Sequence, residues 1–309
     1  MQVEHGGTGS YTGFIFLTPE LVLLPDMSRK VLEILKLPDV MKKNASPASS
    51  LERVALLELP KMKSACTIMN VASRSDPNPC GIPHPSLSKS GAEAAGWKTV
   101  RQRPFYPDPE HAMVVIAFFI IEFEQVNNQF RQWRHDVTLV FHRDTVVKTL
   151  DELDVLKIND PRPQSVPWSA WGLKKARWLA HTLDHGNWIT ISAGQRLVGI
   201  SDEGQIVVKD FNPNNVLKIS AKQGDKFIKP EDYPLETPFI TDYISGEEEE
   251  TLDAIFDIDY RDLTNLPYVQ TLSKDPAEYE SVLLEEERII GLKARFTLDV
   301  FSHILNYSI

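Results

Sequence analysis

The sequence contains little that would hold a disulfide network or cross a membrane. Its 309 residues include two cysteines, Cys66 and Cys80. Two thiols cannot form a disulfide framework, so we expect a reducing intracellular home, the cytoplasm or the nucleus. The longest apolar run, residues 113–121, is far shorter than the roughly 20 residues of a membrane span. We therefore expect no association with a membrane.

Basic charge is also scarce where a nucleic acid would need it. The formal net charge is −10, and acids outnumber bases nine to one over residues 242–262, where Arg261 is the base. A phosphate backbone would be repelled by this segment, and no basic stripe elsewhere compensates for it. We therefore expect no nucleic-acid partner.

The motifs that carry catalysis or bind metals are incomplete. Cys66, Cys80 and His84 are too few, and too irregularly spaced, for a structural zinc site. His181 and His185 have the spacing of a zinc protease, but Thr182 occupies the position of its general base. We predict no catalytic residue, no cofactor and no metal site.

One pair of acids leaves an alternative open. Asp257 and Asp259 could share a hard cation or serve as catalytic carboxylates. Phe256, Ile258 and Tyr260 alternate with them, a pattern typical of a half-buried strand with one face in water. We favour the strand; the alternative function is a carboxylate-dependent hydrolase on a propeller-like scaffold.

The most informative stretch is residues 188–219. It divides into four apolar runs separated by Gly, Asn, Asp and Pro, the residues that tight reversals need. The pattern predicts four consecutive antiparallel strands, a meander the size of one propeller blade. The predicted strands are residues 188–191, 196–200, 205–209 and 216–219.

The rest of the chain repeats this pattern of short β runs between turns. Residues 136–150 are predicted as a hairpin around 142–144, and 54–59 and 65–71 as strands joined by a reversal at 60–61. Further predicted strands are residues 14–17, 21–24, 31–37 and 113–123, two strands around 285–287, and one or two within 296–307.

Tryptophan is concentrated around one predicted short helix, residues 169–179. Trp168, Trp171, Trp178 and Trp188 lie close together in the sequence. Aromatic side chains in such a cluster usually anchor a core. The alternative is a ligand-stacking cage with Arg177 or Lys174 over a ring.

These patterns predict a mainly β protein of about 15–20 short antiparallel strands in four or five meanders, arranged as an open or partial propeller. Residues 14–309 would form this single domain, after a flexible N-terminus at 1–13. Long loops are expected at 73–96 and 220–250, and segments 73–96 and 245–250 would face a partner.

Two resemblances add to this prediction. Residues 201–210 resemble the third strand of a WD40 blade, although Lys209 replaces its tryptophan. More of the chain resembles the region that follows the F-box in the F-box-type proteins of mushroom-forming fungi. That second resemblance rests on residues 17–25, 104–121, 166–179, 194–198, 210–213, 266–268 and 285–293.

The resemblance to the F-box-type family implies a non-catalytic scaffold that recognises the target of a ubiquitin ligase. Skp1 would be a partner only if an F-box lies upstream, because we expect the F-box to be missing from this chain. Residues 17–21 resemble an F-box opening, which would start a helical hairpin, but their β-rich context favours strands.

Overall fold

The computed structural model describes residues 13–38, 51–79, 109–126, 129–155, 162–180, 191–223, 239–245, 250–259, 262–263, 265–279, 281–285, 288–293 and 305–308. Within these residues the chain is mainly β, as the sequence predicts. None of the helices in this part of the chain is long and apolar enough to cross a membrane.

The described elements follow one another as a series of short strands with four helices. The strands are β1 Ile15–Phe16, β2 Leu21–Asp26, β3 Val31–Lys36, β4 Glu52–Glu58, β5 Cys66–Arg74, β6 Met113–Val126, β7 Gln129–His142, β8 Gln164–Val166, β9 Ala176–Ala180, β10 Ser192–Ala193, β11 Arg196–Ile200, β12 Ile206–Asp210, β13 Phe239–Ile244, β14 Tyr268–Ser273, β15 Ser281–Leu284, β16 Arg288–Leu292 and β17 Leu305–Ser308. The helices are α1 Arg143–Glu152, α2 Trp168–Trp171, α3 Pro213–Gln223 and α4 Glu250–Ile255.

These strands form four sheets. The first has the order β1-β2-β3-β4-β8, the second β5-β6-β7-β9, the third β10-β11-β12-β14-β13 and the fourth β15-β16-β17. All pairings are antiparallel except that of β4 with β8. Each sheet is therefore built largely from strands that are neighbours in the sequence.

The sheets pack face to face in chain order because alternate side chains of one strand enter different cores. On β6, Ile116 and Phe118 belong to the core shared with the first sheet. Val115 points the other way, into the core shared with Leu197 of the third sheet. Val198, next to Leu197, enters a further core with the fourth sheet. Each such fully buried side chain contributes about 1.5–3 kcal/mol.

The hairpin predicted over residues 136–150 is wrong in its second half. The first strand runs to His142, but α1 begins directly after it. Val146 and Leu150 are both fully buried, and their spacing of four residues puts them on one face of a helix. Lys148 also donates to Asp144 across one turn, at 2.6 Å. The β-branched residues 145–147 favour a strand, so they obscure the helical spacing of Val146 and Leu150 in the sequence.

The fourth strand predicted at 216–219 is also wrong, because it belongs to α3. Asn212 precedes the helix, and its Oδ1 accepts a hydrogen bond from the Asn214 N–H at 2.9 Å. Pro213 occupies the first helical position, where a missing N–H costs nothing. The third sheet is completed instead by β14, which pairs with β12.

The long loop predicted at 220–250 is wrong where the structure describes it. Residues 220–223 end α3, and residues 239–244 form β13, which pairs with β14. Residues 224–238 and 246–249 of this predicted loop lie outside the described part of the chain.

The helix predicted at 169–179 is confirmed only in its first turn. α2 ends at Trp171, and residues 176–180 form β9 instead. The reversal between them includes Lys174, whose φ is 66°. Residues 176–180 are buried on both faces of the sheet. The sequence of such a strand is a continuous apolar run, and it cannot be distinguished from the sequence of a buried helix.

The strand predicted over residues 256–260 is also wrong. α4 ends at Ile255, and Phe256 makes a single bridge to Met62. Phe256 is buried against Trp178, with 4.6 Å between the ring centroids. The alternation of apolar and acidic residues here reflects a bend in which Phe256 and Ile258 pack on the core while Asp257 and Asp259 are exposed.

Two further predictions concern connections. Residues 17–21 form a tight turn from β1 into β2, with the Thr18 hydroxyl accepting from the Leu21 N–H at 3.0 Å, so the strands predicted on either side are confirmed. Strands β4 and β5 do exist, but they lie in different sheets, so the predicted reversal at 60–61 is wrong. The connection passes from one sheet to the next because Leu59 and Met62 are buried in the core between them.

Candidate interaction surface

The most prominent surface feature is a long hairpin in the second sheet. β6 and β7 have 14 residues each. β5 pairs with β6 only as far as Glu122, and β9 pairs with β7 only from Val137 to Phe141. Residues 123–126 and 129–135 therefore extend past these two described neighbours, and we call them the arm, with Glu122 at its base.

Large apolar side chains are exposed around this arm. Met69 on β5 is 55% exposed, Phe123 on β6 is 40% exposed and Trp133 on β7 is 49% exposed. We call these three side chains the distal patch, which covers both faces of the hairpin because Trp133 is paired with Glu122 and Phe123 with Gln132. Trp, Phe and Met are enriched at protein interfaces, and a group of them left in water marks an interaction site more often than an isolated exposed leucine does.

Cross-strand contacts hold one face of the arm in place. The Trp133 indole N–H donates to Glu124 Oε2 at 3.2 Å, and His135 Nε2 lies 2.9 Å from Glu122 Oε2. Glu122 is also the direct cross-strand partner of Trp133. Each contact joins β6 to β7, so the indole is held in a defined position.

The opposite face of the hairpin is held by an arginine. The guanidinium of Arg134 lies over the ring of Phe119 at 4.7 Å, and its Nε donates to Asp136 Oδ2 at 2.8 Å. A surface whose side chains are already ordered loses less conformational entropy when a partner binds. The arm therefore combines exposed apolar area with restricted motion.

A thiol, a carboxylate and an imidazole come together at the base of the arm. Cys66 faces Glu122 across the strands, and Glu122 contacts His135. Cys66 is buried, and its Sγ lies 3.8 Å from the Ala254 carbonyl oxygen. Burial, followed by the Glu122 charge, raises the pKa of this thiol. Because the thiolate is the reactive form, this arrangement favours a structural cysteine.

The partner-facing loops predicted from the sequence are only partly described. In segment 73–96, residues 73–74 belong to β5, and residues 80–96 lie outside the described residues. Buried Arg143 donates to the Ser75 hydroxyl at 2.6 Å and to the Pro77 carbonyl at 2.8 Å, so the described part of this loop is anchored. Of segment 245–250, the structure describes only Ser245 and Glu250.

The carboxylates of the alternative hydrolase lie at the surface after α4. The side chain of Asp257 is 54% exposed and forms an ion pair with Lys61. The hydrogen bond and charge of Lys61 lower the pKa of Asp257, whereas a general acid at neutral pH needs a raised pKa. In the described residues, no group of three or more His, Cys, Asp or Glu side chains could hold a metal ion. The hydrolase stays a prediction without support from this pair.

The structure places the predicted tryptophan cluster in the core. Trp168, Trp171 and Trp178 are buried, with 5.0 Å between the ring centroids of the first two. Arg177 does lie over a ring, that of Tyr268 at 4.8 Å, but both residues are fully buried. The anchoring role is confirmed for these three tryptophans. His181, His185 and Trp188 lie outside the described residues.

The distal patch is not among the sites predicted from the sequence, although the sequence carries a signal for it. In residues 121–125 and 130–135, single aromatic residues stand between Glu, Gln, Arg and His. A half-buried strand has apolar residues on one face and polar residues on the other. In these two segments polar residues occur on both faces of the hairpin, which indicates strands that extend beyond the packed part of the sheet.

Comparison with protein-family models, with curated proteins and with solved structures found no match to this chain. The resemblance to the fungal F-box-type proteins therefore stays a prediction.

Proposed function

We propose that the protein is a non-catalytic protein-interaction scaffold that binds a partner protein through the distal patch. The observation that carries this proposal is the exposure of Trp133 on one face of the arm and of Phe123 on the other, with Met69 exposed on the adjacent strand β5. A hydrogen bond from the Trp133 indole N–H to Glu124 across the hairpin orients the ring, and such aromatic anchors supply most of the binding energy at protein interfaces.

We also propose that the four sheets are consecutive blades of an open or partial propeller-like domain. Each sheet is built mostly from neighbouring strands and packs face to face on the next one in chain order, which supports the proposal. By resemblance, such a domain would recognise the target of an intracellular ubiquitin ligase, with Skp1 as a partner only if an F-box is joined to it.

The test compares Trp133→Ala with a matched control. Leu217 on α3 is 67% exposed, so Leu217→Ala removes a similar apolar surface far along the chain. Immobilised protein is incubated with a fungal lysate, and each retained protein is then purified and its Kd measured. We expect Trp133→Ala to weaken binding about 30-fold or more, equivalent to about 2 kcal/mol, and Leu217→Ala to leave it unchanged.

The unfolding midpoint of each variant in urea shows whether the fold is intact, and we expect both to stay close to the wild type because both side chains project into water. Equal retention of every partner by the wild type and Trp133→Ala would contradict the assignment of the distal patch. Failure to retain any protein at all would contradict the scaffold function itself.

A further inference from the structure

A buried histidine joins the second and third sheets. His142 is the last residue of β7 and is 8% exposed. Its Nδ1 lies 3.2 Å from the His111 carbonyl oxygen, and the same carbonyl accepts a hydrogen bond from Gln195 Nε2, in the turn between β10 and β11 of the third sheet. The imidazole of the second sheet and a side chain of the third sheet thus share one acceptor.

Further hydrogen bonds join the two sheets next to Met113, the cross-strand partner of His142. The Met113 N–H donates to the Gly194 carbonyl at 2.9 Å, and the Phe211 N–H donates to the Gln195 carbonyl at 2.9 Å. Gln195 Nε2 also donates to the His111 carbonyl, at 3.1 Å. We call His111, Met113, Gly194, Gln195 and Phe211 the inter-sheet joint.

The turn that enters the joint depends on its glycine. Gly194 has a φ of 58° and connects β10 to β11 through a two-residue reversal. A positive φ at the first central position is what a type II′ turn requires, and glycine adopts it without strain. The turn that carries Gly194 and Gln195 into the joint therefore has a defined conformation.

Two opposing effects act on the proton of His142. Hydrogen bonding to the backbone of His111 and Phe211 favours the charged imidazolium, which has two N–H groups to donate. Burial favours the neutral form and is the larger effect, so the pKa of His142 is lowered. Among charged neighbours, Asp144 on α1 raises this pKa and His111 lowers it.

Charges from the other elements at the joint are largely paired. On the third sheet, Arg196 and Asp210 face each other across β11 and β12. On α1, Asp144 forms ion pairs with Lys148 and His111. No described group therefore presents a dedicated carboxylate to the imidazole of His142, and a proton placed there remains poorly compensated while the joint is closed.

We propose that His142 is an acid-sensitive latch, which holds the second and third sheets together while neutral and lets the inter-sheet joint open when protonated. Opening hydrates the imidazolium. The apolar core beside the joint, including Val115, Leu197 and Tyr268, keeps the sheets associated, so the change is local.

The sign of the pH dependence follows from linkage. An open joint exposes His142 to water, where its pKa is near 6.5, while the closed joint holds it lower. Above that pH the imidazole is neutral in both forms, and the closed joint has its full stability. As the pH falls below 6.5, the open form binds the proton first. The equilibrium constant between the closed and open forms therefore shifts about tenfold toward the open form per pH unit, until His142 is also protonated in the closed form.

The test is amide hydrogen exchange between pH 7.5 and pH 5.5, corrected for the intrinsic exchange rate. In the wild type we expect protection of the Met113 and Phe211 amides to fall as the pH falls, while the amides that pair β3 with β4 keep theirs. In His142→Gln, which cannot titrate, the fall should be absent. In the control His135→Gln, which removes a histidine outside the joint, the fall should persist.

Titration of the His142 ring protons by NMR gives an independent reading in the unmodified protein. A pKa below 6.5 for this ring supports the latch. A pKa at or above 6.5 would show that hydrogen bonding to the backbone outweighs burial and would overturn the proposal. An equal loss of protection in the wild type and His142→Gln would overturn it as well.

Discussion

Replacing Arg177 by methionine tests whether the packing of the second sheet on the third depends on a buried charge. Arg177 lies on β9 and is fully buried. Its guanidinium lies 4.8 Å from the centre of the Tyr268 ring, and its Nη1 donates to the Leu266 carbonyl at 3.1 Å. Both contacts cross from the second sheet to the segment that leads into β14.

The expected loss follows from these two contacts. A desolvated cation–π contact contributes about 2 kcal/mol, and a hydrogen bond from a charged group contributes about 1.5–3 kcal/mol. Methionine replaces the aliphatic stem of Arg177, so the cavity it leaves is small. Removing the charge also removes its desolvation cost, which offsets part of the loss. We expect the free energy of unfolding to fall by about 3 kcal/mol.

The assay is urea unfolding followed by tryptophan fluorescence, with the midpoint and slope compared between variants. Arg131→Met on the arm is the matched control, and it should change the stability by less than about 0.5 kcal/mol because Arg131 is exposed. Tyr268→Phe, which keeps the ring, should stay near the wild type. If Arg177→Met is as stable as the wild type, then the desolvation free energy of this charge equals the free energy that its contacts contribute. That result would show that our account of this interface is wrong.

Two further predictions concern a helix end and a thiol. Asn212→Ala removes the side-chain oxygen that accepts from the Asn214 N–H, so the free energy of unfolding should fall by about 1 kcal/mol. The control Asn215→Ala, one position beyond that bond, should lower the free energy of unfolding by less. Equal losses in the two variants would contradict the capping role of Asn212. In a Cys80→Ser background, Cys66 should react with iodoacetamide at least about 100-fold more slowly in the native protein than in urea, because the thiol is buried and its pKa is raised. Rapid native alkylation would show that the cover over Cys66 opens readily.

The strands that the sequence predicts correctly are those with a turn signal at each end. Residues 196–200 and 205–209 are separated by Ser, Asp, Glu and Gly, and Gly204 has a φ of 80° that few other residues adopt. β11 and β12 accordingly pair through five residues on each side of this turn. Local chemistry determines such a hairpin, so its sequence is sufficient to predict it.

The prediction was wrong where a helix contains β-branched residues. Val146 and Val147 favour a strand by intrinsic preference, yet α1 forms because Val146 and Leu150 pack on one side into the first core. α3 carried a stronger signal, since Asn before Pro is a recognised helix start. The same residues also fit a turn, and the three strands before them favour a fourth strand over a helix.

Long-range pairing could not be predicted from the sequence. β8 joins the first sheet parallel to β4, and β14 joins the third sheet beside β12 although α3, β13 and α4 come between them. Neither pairing has a local turn to fix its register. These pairings depend on which apolar faces find each other in three dimensions, and a linear pattern does not record that.

The arrangement of the cores explains why a binding surface would lie on the arm. In the second sheet, alternate residues of β6 are buried on both faces, one face against the first sheet and the other against the third. Substitution there changes stability before it changes recognition. Past Glu122, the strands leave both cores, and Phe123 is exposed. The arm can therefore vary its side chains without disturbing the stack, while the stack holds the arm rigid, and this separation is what a scaffold needs from its recognition site.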